Sequence, residues 1–401
     1  MAKWPTGSSV TSVAFDTLNH ENLLRKLHHY GIRGTAQAWF KSYLSNRTQY
    51  VSWMGKDSDV LALTTGVPQG SVLGPLLFLL YVNDLPSSTD KLKVVLFADD
   101  SNLLLKGNDP KILAETMTSE LEKVSDWFSA NKLLLNADKT KLIVFRSRKC
   151  RKDLSAAPVL LNGQALKQVP NETFLGVQFD ETLKWYDHTS KVANNISKKI
   201  GMMSRVKHFV NQRTLKTLYN SFIQPHLIYG IPLRGATFDK GLTRIKTLQK
   251  KAIRIMTGAS RMDHCEPRQK ELGILKIDDL YKVQTVCLTY DCLNGFAPTE
   301  LCTLFRHNTE SMGATTRSQT DKPLDITVCS IPKRPGPVLS NSFLLKAPEL
   351  WNQLPEPIQH SQNKSVLRFN LKKLLLDQYS NVSHCSNTLC SDVNFCHHVS
   401  K

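Results

Sequence analysis

Three observations predict an α+β chain. Residues 1–182 alternate short strand-like runs with helical ones. From about residue 184 the apolar residues recur at helical spacing instead. The apolar fraction is 41%, with 19 Gly and 18 Pro, which excludes general disorder. At 401 residues the chain has length for two or three domains, each burying a core.

The elements follow in order. Residues 49–54 and 94–98 read as strands. Asp109 before Pro110 resembles an N-cap followed by proline at the first helical position. Ile112, Leu113, Met117, Leu121, Val124 and Phe128 then continue at helical spacing. Residues 141–145 read as a strand, and 159–169 as a hairpin turning at Asn162 and Gly163. Residues 174–179 read as a further strand. Residues 306–340 are polar and broken by Gly and Pro, a linker or long irregular loop. Residues 364–379 read as one more helix, and no internal repeat is present.

Charge narrows the partners. Lys plus Arg is 52 and Asp plus Glu 34, giving +18 and a pI of about 9.5. Nucleic acid is then the leading partner and an anionic membrane surface the second. Residues 184–282 hold 20 Lys and Arg against 7 Asp and Glu, so +13 of the +18 lies there. Within it, Ile245, Leu248, Ala252 and Ile255 form a helical stripe, with Lys246, Lys250 and Arg254 in a cationic row on another face. Such a row suits phosphates, or is simply a solvated face. Nine Cys without regular spacing do not suggest a disulfide framework. No signal peptide opens the chain, and its longest apolar run, 72–82, is interrupted and too short to span a bilayer. These features predict an intracellular protein, nuclear or cytoplasmic, not secreted and not membrane-bound.

Two motifs carry chemistry. In the first, apolar runs at 94–98 and 102–105 flank Asp99 and Asp100. On one straight strand these carboxylates would point to opposite faces; at a tight turn both reach one site. A buried acidic pair needs a compensating cation, and Mg²⁺ prefers carboxylates with phosphates; a solvated hairpin tip is the competing reading. In the second, Gly66, Pro68 and Gly70 force a turn and Ser71 can cap the following helix, whose buried side would be Leu73, Leu76, Leu77 and Leu80. A plain loop-to-helix junction reads the same way.

Together the two motifs are far more specific. The chain resembles the reverse transcriptase of non-LTR (LINE-type) retrotransposons. Residues 66–78 look like that family's motif B, continued by Tyr81, Asn83 and Asp84. Phe97, Ala98, Asp99 and Asp100 look like motif C. Leu133, Leu134, Leu135 and Asn136 with Lys139 and Thr140 resemble motif D. Phe174, Leu175, Gly176 and Val177 resemble the primer grip of motif E, and residues 14–20 the end of motif A. Residues 293–298 and 347–355 resemble the C-terminal segment of the CR1/Jockey-like branch.

The resemblance implies a polymerase palm over 1–182, an antiparallel sheet with helices packed on one face. It implies a basic, thumb-like helical region over 183–262, then a mixed C-terminal segment over 263–401 with a tail after 380. It implies an RNA template, a DNA primer or target, deoxynucleoside triphosphates and two Mg²⁺ ions, acting in target-primed reverse transcription. Asp99 would be the principal metal ligand and Asp100 its neighbour. Phe15 would be the steric gate against a ribose 2′-hydroxyl, or else a core residue. Gln69 and Gly70 would line the nucleotide and template, and Lys139 would face the leaving pyrophosphate.

One departure matters most. The family's motif A Asp falls five residues before the gate aromatic, at Val10 here. Valine cannot ligate a metal, so most of the chemistry is expected to be lost, leaving a non-catalytic nucleic-acid-binding relic. Asp16 lies six residues along, about 20 Å in extended chain, too far to substitute on the same backbone path. The nine residues before Val10 do not resemble the family's fingers, so the palm sheet is expected to lack its first strand. In the tail, Cys385, Cys390 and Cys396 with His384, His397 or His398 offer zinc ligands at a spacing that matches no known knuckle; an unstructured tail competes.

Overall fold

The structure, a computed structural model, describes residues 2–5, 15–68, 70–146, 158–235, 239–307, 326–328 and 337–379. Val10, Gln69 and the Cys/His tail lie outside the described residues. The chain is α+β and forms two compact units, Met1–Leu183 and Lys184–Lys401.

The first unit is built on a five-stranded sheet. Its strands are β1 (Ala2–Pro5), β6 (Lys93–Phe97), β7 (Asp100–Leu105), β8 (Lys141–Val144) and β11 (Lys167–Gln168), in the order β11-β8-β1-β7-β6. All neighbours are antiparallel except β11 and β8. The expectation of a missing first strand is therefore corrected. Ala2–Pro5 pairs on one side with β7, Ala2 opposite Leu105, and on the other with β8, Ala2 opposite Val144. Backbone pairing makes few demands on side chains, so a segment with no strand-like pattern can lie between β7 and β8.

Helix α4 (Pro110–Ala130) packs on one face of this sheet. Asp109 caps it as expected, its carboxylate accepting from the Lys111 and Ile112 N–H groups at 2.9 and 3.2 Å. Leu103 and Leu105, two apart on β7, share the face that meets Met117, Leu121 and Val124. A second cluster joins α1 (His20–His29) and α2 (Gly34–Leu44) to α3 (Leu73–Val82) through Leu23, Leu27, Leu44, Leu77, Phe78 and Tyr81. Leu96, Trp127 and Phe128 touch both clusters, so the unit has a continuous interior. Glu120 of α4 is buried and satisfied: it accepts from the Thr89 hydroxyl, from Lys123 Nζ at 2.9 Å and from the Asp90 N–H at 3.2 Å. These bonds, that of Thr89 first, hold its carboxyl down to about 2.

Some strand expectations are redrawn. Residues 49–54 are not one strand: β2 (Arg47–Gln49) and β3 (Ser52–Trp53) are separate, pairing with β5 (Leu61–Leu63) and β4 (Lys56–Asp57). The hairpin at 159–169 is present as β9 (Leu160–Leu161) and β10 (Gln164–Ala165), with φ of +51° at Asn162 and +79° at Gly163. The strand expected at 174–179 is instead a hairpin of β12 (Asn171–Phe174) and β13 (Val177–Asp180).

The second unit is helical around one cluster running from Val192 to Tyr379. It comprises α5 (Tyr186–Val206), α6 (Gln212–Leu218), a π turn (Tyr219–Ile223), α7 (Gln224–Ile228), α8 (Ile231–Arg234), α9 (Asp239–Thr257), α10 (Glu266–Leu272) and α11 (Ile277–Leu293). Further along come α12 (Thr299–Cys302), α13 (Pro337–Ser340), α14 (Phe343–Asn352), α15 (Glu356–Gln359) and α16 (Lys364–Asp377). Arg234 is fully buried; its guanidinium donates to the His226 and Leu227 carbonyls at 2.9 and 2.8 Å, satisfying the last turn of α7. Burial pulls its pKa down to about 10. The segment 306–340 is not wholly irregular. β14 (Phe305–His307) pairs with β15 (Ile326–Val328), and the Asn352 side chain both accepts from the Ile326 N–H and donates to its carbonyl. Among the described residues no helix is long and apolar enough to cross a membrane.

Candidate functional site

The two carboxylates sit where a hairpin turns. β6 ends at Phe97, which pairs with Asp100, the first residue of β7. Ala98 and Asp99 make the turn between them, with Ala98 at φ +50°. The turn thus brings Asp99 and Asp100 to one end of the sheet, both half-buried. Among the described residues, no group of three or more His, Cys, Asp or Glu gathers as a metal cage.

In the same unit, residues 15–20 and 65–74 are stitched together. The Val67 N–H donates to the Phe15 carbonyl at 2.8 Å, and the Gly66 N–H to the Leu18 carbonyl at 2.8 Å. His20 Nε2 lies 2.7 Å from the Gly66 carbonyl, and Thr65 Oγ1 donates to the Asp16 carbonyl at 3.0 Å. Asn19 caps α1, accepting from the Asn22 N–H at 3.0 Å. Gly66 is required here: its φ is +83°, and a Cβ would lie 2.7 Å from the Asp16 Cα. Phe15 is half-buried with its ring centroid 4.9 Å from that of Phe78, so it packs on the second cluster.

Ser71 behaves as the sequence suggests, accepting from the Gly74 N–H at 2.9 Å. The buried side of α3 is different. Leu77 is fully buried, but Leu76 is 50% exposed, and Gly74, Phe78 and Tyr81 complete the inner face. Gly70 is exposed at φ +80°. Lys139 is exposed in a turn that Asn136 closes, its Oδ1 accepting from the Lys139 N–H at 3.2 Å. Phe174 ends β12, and Leu175 and Gly176 form the hairpin turn at φ +47° and +77°. Lys141 to Glu172, at 2.7 Å, ties that hairpin to β8.

The cationic row belongs to the second unit. Lys246 is ion-paired with Asp278 at 3.0 Å, and the Arg254 guanidinium donates to the Asp263 carbonyl at 3.0 Å. Lys250 is exposed.

Sequence reasoning missed Lys26. Its ammonium meets Asp84 at 2.6 Å and the Tyr81 carbonyl at 2.6 Å, and lies over the Tyr81 and Trp127 rings at 4.9 and 4.7 Å. Burial lowers its pKa despite Asp84. The Tyr81 hydroxyl donates to the Asn131 carbonyl at 2.6 Å, so Tyr81 and Asp84 of the motif lock α3 to α1 and to the end of α4. The apolar–cationic alternation Leu23, Arg25, Lys26, Leu27 hid this role, because an exposed lysine on a helix gives the same pattern.

Comparison with known proteins fits this arrangement. The family model described as reverse transcriptase (RNA-dependent DNA polymerase) matches residues 10–179. The RNA-directed DNA polymerase from mobile element jockey of Drosophila melanogaster is 27% identical over 287 residues, 69% of this chain and 31% of that protein. The probable RNA-directed DNA polymerase from transposon BS of the same organism is 29% identical over 265 residues, 61% of this chain and 28% of that protein. The corresponding probable enzyme from transposon X-element is 26% identical over 325 residues, 78% of this chain and 33% of that protein. The chain thus spans about a third of the length of the curated relatives it matches. It carries the reverse transcriptase domain of a non-LTR (LINE-type) retrotransposon.

Proposed function

We propose that the chain is an RNA-directed DNA polymerase by descent that holds nucleic acid but does not extend a primer. On this reading the sheet of the first unit is the palm, the helices over 183–262 are the thumb, and 263–401 is the C-terminal segment of the CR1/Jockey-like branch. The substrates of the parent activity are an RNA template, a DNA primer or target and deoxynucleoside triphosphates. Asp99 and Asp100 are the metal-facing pair. Phe15 is the nucleotide gate, packed on Phe78. Gln69 and Gly70 border the nucleotide, Lys139 the pyrophosphate side, and residues 174–176 the primer.

The carrying observation is the donor set. The hairpin tip supplies two carboxylates, and the position that aligns with the bridging acid is Val10, whose side chain has no donor atom. Two Mg²⁺ ions in such sites are bridged by carboxylates from both segments, so the residues present do not fit a complete two-metal centre. Primer extension on an RNA template with Mg²⁺ tests this. The expected result is no incorporation; Mg²⁺-dependent synthesis that disappears in Asp99→Ala would overturn it.

A further inference from the structure

The sequence placed its nucleic-acid contact on the row of Lys246, Lys250 and Arg254. In the folded unit that row is partly engaged, by Asp278 and by the Asp263 carbonyl. A different groove of the same unit has the cations without the counter-charges. It lies between α6 with its π turn, α11 and α16, outside residues 10–179 matched by the polymerase family.

One wall is a single face of α16. Ser365, Arg368, Phe369 and Lys372 follow at i, i+3, i+4 and i+7, the spacing that aligns residues on one side of a helix. Their inward neighbours Leu367, Leu371 and Leu375 are buried in the core, which fixes the outward direction of this face. The opposite wall carries Lys216 of α6. No acid lines the groove, and among the described residues none of Lys216, Arg368 and Lys372 is ion-paired. Three cations converging without an acid repel one another. Lys372 shows it: partial burial lowers its pKa first, and the charges of Lys216 and Arg368 lower it further. Folding sustains such a cluster at a cost that an anion would remove.

Phe369 adds a second signature. It is 69% exposed although it borders the groove. An aromatic face beside a line of cations is the arrangement that takes a single strand, with phosphates on the cations and a base stacked on the ring. A purely structural phenylalanine would turn inward, as Leu367 and Leu371 do on the same helix.

We propose that this groove binds single-stranded nucleic acid, with Lys216, Arg368 and Lys372 on the phosphates and Phe369 stacked on a base. The proposal does not depend on polymerase activity. The test uses the full chain and fluorescence anisotropy with labelled single-stranded RNA, single-stranded DNA of the same sequence, and polyglutamate as a non-nucleic polyanion. Arg368→Gln with Lys372→Gln should weaken oligonucleotide binding at least tenfold and reduce the log–log salt slope by about 1.4, from about 0.7 per neutralised phosphate on a single strand. Phe369→Ala should weaken oligonucleotide binding about fivefold, leave the salt slope unchanged, and leave polyglutamate binding unchanged. Equal losses on RNA and DNA would assign the groove to backbone and base stacking; a loss on RNA alone would assign it to a ribose-reading site, and either supports the proposal. All substituted side chains border open solvent, and thermal melts of the variants verify the fold. Oligonucleotide binding within twofold of the parent in both variants would overturn the proposal. So would losses equal for polyglutamate with no effect of Phe369→Ala.

Discussion

The two units use their distinctive residues in different ways. In the first, particular side chains are demanded by backbone geometry: Gly66 by its positive φ and close approach to Asp16, Asn162 and Gly163 by a tight hairpin, Asp109 by a helix end. In the second, long helices share one core, and many different polar residues could occupy their outer faces. Where the backbone selects the residue, sequence patterns carry position and role together. Where only a helix face is specified, role depends on which neighbours fold against it, and Asp278 reaching Lys246 is such a case.

Substitutions can break this contrast. The largest expected effect is Arg234→Ala in the second unit. It removes a fully buried guanidinium and strands the His226 and Leu227 carbonyls, and should cost about 3 kcal/mol or more in urea unfolding. A cost under about 1 kcal/mol would mean that buried polar geometry constrains this unit less than the account holds.

Gly66→Ala should destabilise the first unit by about 2–3 kcal/mol, combining the left-handed backbone with the clash at Asp16. A neutral result would detach residues 15–20 from the 65–74 segment. Glu120→Gln should cost about 1–3 kcal/mol, since an amide cannot accept all the donors that converge there. The same group sets an acid limit. Its folded pKa of about 2 lies below the ordinary 4.5, so its contribution is complete above about pH 4.5 and is lost as pH falls toward 2. Melting temperature against pH should show that loss in the parent and not in Glu120→Gln. The smallest effect is Lys246→Ala. An exposed ion pair with Asp278 is worth at most about 1 kcal/mol, and oligonucleotide affinity should change by less than twofold.

Much of the first unit was legible for these reasons. The Asp109 cap, the Asn162–Gly163 turn, the Ser71 cap and the hairpin presenting Asp99 and Asp100 all follow from residues with few alternative uses. What the sequence hid was tertiary. The strand at Ala2–Pro5 has no distinctive pattern, since pairing between two strands needs backbone groups only. The inner face of α3 turned by one residue, from Leu76 to Leu77 and Phe78, because a nearly all-apolar helix carries no amphipathic signal. The groove of Lys216, Arg368 and Lys372 joins residues more than 150 positions apart, a distance no local pattern bridges.

On the proposed reading the acidic tip at Asp99 and Asp100 lacks a third carboxylate, because position 10 is valine. Mn²⁺ binding followed by electron paramagnetic resonance tests it without relying on turnover. The parent chain should bind Mn²⁺ weakly. Val10→Asp should tighten binding by about tenfold or more, because added ligand charge raises affinity for a hard divalent ion. Val10→Asp combined with Asp99→Ala should return it to the parent level. Tight binding of two Mn²⁺ ions by the parent, unchanged by Val10→Asp, would contradict the account.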